Sequence, residues 1–369
     1  MRCNRAKHRW LSLLFFRCVF LAEGHGIVTI PPTRNAVDKD DPRWADGRFP
    51  LNDGRLGCTE KVEWNEFCGC WGSNGTSAFA PGQACLWFSQ GCTIGCPECD
   101  PNATLPWDKD ICGNSMKPTL CDPTHRTLNT AAPCGSETDW TKHNPWRAPG
   151  SAPVYDPCGK AGGQNQCHPY QGAAYYIATK HAQVGDLGSK VLPYMPSGTV
   201  WIAGDTVKTA WTINANHGGG YQYRLCPREQ ELTEECFKRM PIPFAGLQQL
   251  QFKGGSAVHK INATYVSNGT IPAGSTWVKN PIPIDPSDFD PPCQENDPYY
   301  PRPVPEGKVW PTRCWGNFPS HTLIIDWLRL PIDIQPGEYV LGWRWDGEQS
   351  SQIWSSCADV TITANPLFI

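Results

Sequence analysis

Two histidines stand where they could hold a metal ion. His25 follows the small-x-small triplet Ala22-Glu23-Gly24, and His217 sits in "NHGGG", between a strand-like run and three glycines. A signal-peptidase cut after Gly24 makes His25 the first residue, with two nitrogens to offer: its α-amine and its ring Nδ1. The ordinary pKa of an α-amine is about 7.7–8.0, so a divalent metal displaces its proton near neutrality. An imidazole from His217 then completes three nitrogens in a T-shaped plane. That set suits Cu(II), whereas zinc would ask for a tetrahedron. The glycines allow close backbone approach and are expected to leave the His217 ring uncovered at a surface. A turn histidine beside a β-bulge is the plainer alternative. His168, in "QCHPYQG", competes, but its Cys and Pro neighbours suit a structural role. His125, His143, His181, His259 and His321 lack comparable context.

This chemistry requires a cleaved leader. Residues 1–9 are basic, and "WLSLLFFRCVFLA" over residues 10–22 is apolar apart from Arg17, so residues 1–24 read as a secretory signal peptide. The run is too short for a membrane span, and no other stretch approaches one. Export is also expected from 19 cysteines and from four N-glycosylation sequons, at Asn74, Asn102, Asn262 and Asn268. The whole chain carries a net charge of −3, and the leader removes more basic than acidic residues. An acidic, secreted surface argues against nucleic acid or anionic membrane as partner. Cys3 and Cys18 leave with the leader, so the remaining cysteines are odd in number: one thiol is free or intermolecular, or the boundary is misread.

In the scaffold, 35 Gly, 36 Pro and 17 Trp disfavour long helices and favour an all-β body with large loops. Most of the Trp residues are expected in the core. A short strand, "HGIVTI", is stopped by Pro31-Pro32. Twelve cysteines crowd between Cys58 and Cys167, with dense turn signals and little periodicity, so about 58–170 reads as a disulfide-stapled insertion. Cys85, Cys92, Cys96 and Cys99 could form a tetrathiolate zinc site, but irregular spacing and an oxidising compartment favour disulfides. Beyond residue 198, "GTVWIAGDTVKTAWTI" reads as two strands or one bent strand. "LQQLQFKG", "HKINATYVS", "TLIIDWLRLP", "GEYVLGWRWDG" and "IWSSCADVTIT" read as further strands. Residues 278–320 read as a long ordered loop pinned through Cys293 and Cys314. The expectation is a single Greek-key-like β-sandwich over residues 25–369, with no separate carbohydrate-binding module after the last strand.

The histidine after the leader, the segment "NHGGGYQYRLCP" and the closing "GEYVLGWRWDGEQSSQIWSSCADVTI" together resemble lytic polysaccharide monooxygenases. The nearest likeness is to the chitin-binding type-4 group and its relatives in animals, algae and oomycetes, over roughly 25–35 and 198–369. The resemblance implies an immunoglobulin/fibronectin-III-like β-sandwich with long disulfide-stapled loops. It also implies a monomer holding one copper ion between His25 and His217 on a flat face, in a histidine brace. An external electron donor and O2 or H2O2 would then drive oxidation of C–H bonds at the glycosidic linkages of insoluble chitin or cellulose.

The resemblance further places an aromatic residue on the copper axis, five positions before the Asp of the final "DV", which is Trp354. The family has Tyr or Phe there. An indole cannot ligate as a phenol can, so Trp354 would block the axial position and could carry an oxidising hole; an ordinary core Trp is the other reading. Gln352 matches a polar position beside the bound oxygen species, or is an exposed strand residue. Tyr221 and Tyr223 are candidate substrate-binding aromatics; alternation sets both on one side of their strand, either the substrate face or the core. Arg344 and Asp346, on the adjacent strand, fit a surface ion pair as well as an active-site role, and neither role is assigned. Two other functions fit the same scaffold: a non-catalytic carbohydrate-binding protein, and a copper-binding protein for transport or sensing.

Overall fold

The computed structural model describes residues 25–38, 41, 83–90, 145–163, 176–252, 258–282, 322–348 and 352–366. Thirteen strands occur among them: β1 (His25–Ile30), β2 (Trp87–Gln90), β3 (Lys160–Ala161), β4 (Pro196–Ile202), β5 (Thr206–Ala215), β6 (Gly220–Pro227), β7 (Gln248–Phe252), β8 (Val258–Ile261), β9 (Tyr265–Val266), β10 (Trp277–Lys279), β11 (Thr322–Arg329), β12 (Gly337–Asp346) and β13 (Gln352–Thr363). Two short α-helices, α1 (Gly188–Val191) and α2 (Glu234–Lys238), and three 3-10 turns, Arg34–Ala36, Ala84–Leu86 and Pro145–Arg147, also occur among the described residues.

The strands form two sheets. The first has the order β1-β5-β11-β7-β8, and the second β3-β2-β13-β12-β6-β10-β9, with β4 joining β13 in parallel. Their inner faces share one apolar core: Val28, Trp211, Ile213, Leu250, Ile324 and Leu328 from the first, and Leu225, Leu341, Trp343, Trp345, Trp354 and Val360 from the second. This is the all-β sandwich expected. The bent run after residue 198 resolves into two strands in different sheets, turning at Gly204, whose φ is +80°. The last three strands are not consecutive neighbours: β12 pairs with β13, while β11 crosses to the first sheet between β5 and β7.

The aromatic content is mostly core, as expected. Trp87, Trp146, Trp211, Trp277, Trp343, Trp345 and Trp354 are all fully buried. Each removes roughly 150–250 Å² from water, which makes them the largest apolar contributors to the fold.

Part of the cysteine-rich insertion belongs to the sandwich. β2 pairs with β13 and β3 with β2, so this segment extends the second sheet. Ala152 and Val154 cover Ile353 on the outer face, and Cys158–Cys357 ties the covering loop to β13. A second disulfide, Cys226–Cys236, holds α2 against β6. Cys85 is disulfide-bonded too, which favours disulfides over zinc at that position. Cys92, Cys96, Cys99, Cys293 and Cys314 lie outside the described residues, as do His125, His143, His168 and His321. Asn262 and Asn268 are exposed, as sequons must be; Asn74 and Asn102 lie outside the described residues.

Under that cover, Arg344 and Asp346 depart from expectation. They are not a surface pair, for neither exposes more than 1% of its side chain. They point away from the tryptophans on the opposite face of β12. Arg344 donates to both oxygens of Asp346, at 2.6 and 3.0 Å, to Glu234 Oε1 at 2.8 Å and to the Ala152 carbonyl at 2.8 Å. Arg224 also donates to Glu234 Oε1. Burial alone would raise the Glu234 carboxyl, but the two guanidiniums outweigh it and hold it at about 2.

Candidate site at the β1 and β5–β6 end

β1 is antiparallel to β5, with His25 opposite Ala215. His217 follows Ala215 by two residues, in the turn that leads into β6 at Gly220. The two expected metal-binding histidines therefore lie on neighbouring segments at one end of the sandwich. Alternation along β1 turns Val28 into the main core and Ile27 towards Ala36, Ala84 and Cys85. Gly26 faces the tryptophans: a Cβ there would lie 3.0 Å from Cε3 and Cζ3 of Trp345 and 3.1 Å from Cη2 of Trp343. The β1–β5 register shifts between His25 and Gly26.

The turn itself is held from several sides. Asn216, fully buried, accepts from the Gly218 N–H at 2.9 Å and from Asn280 Nδ2 at 2.8 Å, and donates to the Ile282 carbonyl at 2.8 Å. The Asn280 N–H donates to the Gly219 carbonyl at 2.8 Å. Trp345 Nε1 donates to the Gly218 carbonyl at 2.8 Å. Glu348 contributes twice, its N–H donating to the His217 carbonyl at 3.0 Å and its Oε2 accepting from the Gly219 N–H at 3.2 Å. Gly218 and Gly219 have φ of +64° and +75°. A Cβ on Gly219 would lie 2.0 Å from the Asp346 carbonyl oxygen. Close approach is thus what the glycines provide.

His217 is not uncovered. It is 5% exposed, and the backbone of its turn is tied to Trp345 and Glu348. Of the other histidines, His181 and His259 lie on separate segments, the latter on edge strand β8. Among the described residues no group of three or more His, Cys, Asp or Glu side chains converges as a metal site. A site built from one amine and two imidazoles has too few such side chains to form a group of that kind, and its nitrogen donors fit copper by type.

Gln352 and Trp354 begin β13 at the same end and are buried, at 4% and 0% exposure. The exposed-strand alternative for Gln352 is therefore set aside. Its carbonyl accepts from the Gly347 N–H at 3.1 Å, closing the β12–β13 connection. Trp354 is opposite both Trp345 and Phe88 in its two pairings; its ring stacks on Phe88 at 4.3 Å and lies 6.5 Å from Trp345. Two residues on, the Ser356 hydroxyl accepts from the Val28 N–H at 3.4 Å, so this part of β13 runs beside β1.

Tyr221 and Tyr223 are corrected. Both are fully buried and cannot form a substrate face. Alternation turns them into the core, where both phenols donate to Asp326 of β11, Tyr221 at 2.9 Å and Tyr223 at 3.2 Å. Gln248 Nε2 donates to Asp326 at 3.1 Å and also to the Tyr221 hydroxyl. Burial raises the Asp326 carboxyl to about 6, although these three donors pull the other way.

Sequence reasoning missed Trp345, Glu348, Asn216 and Asn280 as supports of the His217 turn. Glu348 had a usable signal in "WRWDGE", an acid just beyond a core strand; the asparagines had none beyond adjacency to His217.

No protein-family model matches the chain. Among solved structures it is similar to a lytic polysaccharide monooxygenase of class AA15 from Thermobia domestica in its Cu(I) state, with 16% identity and a TM-score of 0.22 over 44% of this chain and 62% of that one. A class AA10 monooxygenase from Streptomyces lividans gives 12% identity and a TM-score of 0.20 over 46% and 60%. A chitin-binding domain from Burkholderia pseudomallei gives 12% identity and a TM-score of 0.31 over 92% and 100%. The chain thus spans about three-fifths of the first two proteins. Likeness at this level carries no argument about the site, and the sandwich rests on the strand pairings described above.

Proposed function

We propose that the chain is a secreted, copper-dependent lytic polysaccharide monooxygenase acting on insoluble chitin or cellulose, with His25 and His217 as metal ligands. The observation that carries this reading is the pairing of His25 with Ala215, two residues before His217. It supports convergence of an amino terminus created at His25 with the His217 ring. His25 would contribute its amine and Nδ1, and His217 one ring nitrogen. Bound there, copper would supply one-electron redox chemistry with O2 or H2O2. The chain's own part is to keep three nitrogens fixed. The Asn216–Gly219 turn, clamped by Asn280, Trp345 and Glu348, is suited to that because a rigid donor set needs little reorganisation between oxidation states. Trp354 would add an apolar ring to the metal's surroundings, and Gln352 would offer an amide there. Among the described residues no helix is long and apolar enough to cross a membrane.

The burial of His217 favours one second reading: a copper-binding protein that does not engage a solid surface. One experiment separates the two. The mature chain starting at His25 is loaded with copper, examined by electron paramagnetic resonance (EPR), reduced with ascorbate and incubated with chitin and cellulose. One tetragonal Cu(II) per chain followed by oxidised oligosaccharides supports the monooxygenase. Copper without products on any polysaccharide supports the second reading. A chain with one residue added before His25 loses its free amine at that position; if it still binds copper as tightly and reacts as fast, the assignment of His25 fails.

A further inference from the structure

We propose that Trp345 is a positioning residue that sets the separation between the His25 and His217 segments. This rests on the ligand assignment above, but its geometry stands apart from any metal. One edge of the Trp345 indole, Cε3 and Cζ3, lies against Gly26, so closely that an added Cβ would sit 3.0 Å away. The other edge donates from Nε1 to the Gly218 carbonyl at 2.8 Å. The same ring therefore touches the residue after each histidine. A fused bicycle has no internal rotation, so the span between those two contacts is fixed by covalent geometry.

The ring itself cannot drift. It is fully buried and packed among Trp211, Trp343 and Trp354, at centroid distances of 5.4, 6.2 and 6.5 Å. Its strand is paired on both sides, with Tyr221 of β6 and Trp354 of β13 opposite Trp345. The β1–β5 ladder alone is a poor gauge at this point, because its register shifts between His25 and Gly26. Glycine at 26 is what lets β1 descend onto the ring; any side chain there would push the start of β1 away from the turn.

The test compares three variants of the mature chain. Trp345→Phe shortens the gauge and removes the donor. Gly26→Ala pushes from the opposite edge. Trp277→Phe is the control, for Trp277 is also fully buried and also donates to a backbone carbonyl, that of Ile271 at 3.3 Å, but packs in a separate cluster with Trp146 and Val266. Amide hydrogen exchange is read on the metal-free protein, and Cu(II) affinity and EPR parameters on the loaded one.

Trp345→Phe is expected to speed exchange of the Gly218, Gly219 and Glu348 amides about tenfold, the equivalent of one hydrogen bond, with a shifted copper spectrum and weaker binding. Gly26→Ala is expected to shift the spectrum as well. Trp277→Phe should lower the melting temperature and change neither readout. Wild-type exchange and spectrum in Trp345→Phe, or the same changes in the control, overturn the proposal. If Trp345→Phe does not fold, benzothienylalanine at 345 keeps the bicyclic outline and removes only the N–H, and the same exchange criterion applies. If the wild-type chain takes up no copper, the ligand assignment fails, while the exchange comparison still decides the role of Trp345.

Discussion

Replacing Asp326 with Asn should flatten the dependence of stability on pH. The carboxyl is fully buried and faces Tyr221, Tyr223 and Gln248, all of them neutral donors. Its pKa is about 6 in the folded chain against 3.8 for the ordinary group. Between those values the folded state keeps a proton that the unfolded state has released. The folded-state pKa is raised, so the associated stability is complete below pH 3.8 and is lost as pH climbs through about 6. At 1.36 kcal/mol per unit the whole swing is about 3 kcal/mol, of which about 1.4 kcal/mol falls between pH 5 and pH 8. Asn imitates the protonated acid, with one acceptor and one donor and no charge to desolvate. Urea unfolding of both proteins under oxidising conditions at pH 5, 6, 7 and 8 measures the difference. Asp326→Asn should lose about 1.4 kcal/mol less than the wild type across that range. Parallel pH profiles would refute the assignment of a buried, proton-retaining carboxylate. Asp38 and Asp156 are also pushed up to about 6 by burial, so the variant keeps some pH dependence and only the difference is diagnostic.

Other perturbations test other parts of the argument. Glu234→Gln removes the carboxylate shared by Arg224 and Arg344 and leaves two buried guanidiniums short of a partner; a loss of about 3–5 kcal/mol is expected in denaturant melts, with the copper spectrum unchanged if the outer-face network is only structural. Opening Cys158–Cys357 by a double change to Ser releases a loop of 199 residues, for which chain-entropy arguments give a cost of about 5 kcal/mol, visible as a lowered denaturation midpoint. Gly219→Ala drives a methyl into the Asp346 carbonyl at a φ of +75°, and thermal melts should show a far greater loss than Gly246→Ala, also at positive φ but with open space around it. Trp354→Tyr introduces a phenol at that position; a changed Cu(II) spectrum places the side chain beside the metal, and an unchanged one makes it core packing alone.

Period-two patterning found the strands, because Thr206–Ala215 and Gly337–Asp346 alternate around a buried face and are bounded by Gly, Asp or Asn. It did not reveal which sheet a strand joins, since β11 and β12 read alike and differ only in long-range pairing. The expected strand of Tyr221 and Tyr223 was correct and their side was ambiguous: period two says that two residues share a face, never which face. The decisive fact was Asp326, some hundred positions away, whose need for donors draws both phenols inward. Arg344 and Asp346 misled in the opposite way. Charged residues on a strand usually face water, and it is the loop through Ala152, which supplies a carbonyl to Arg344, together with Glu234 of α2, that makes a buried pair tolerable there. For the histidines, the chemistry was legible from residue type and place in the chain. The clamps on the turn were not, because Asn280 and Glu348 reach it across the fold.

β12 then emerges as the strand on which the site depends most. Trp343 and Trp345 on its inner face support Gly26, and Trp345 also holds the Gly218 carbonyl. On its outer face Arg344 and Asp346 anchor the covering loop, the carboxylate accepting from the Gly150 N–H at 2.9 Å. Two residues past its end, Glu348 grips the His217 turn at a carbonyl and at an amide. The three contact sets are independent in chemistry but share one stretch of backbone between hydrogen-bonded neighbours on both sides. A shift of β12 along its axis would therefore move the floor under β1 and the clamp on the turn together, whereas a shift of β1 or of the turn alone would disturb only one. That asymmetry makes the spacing of the two histidine segments a property of the second sheet, although His25 itself belongs to the first.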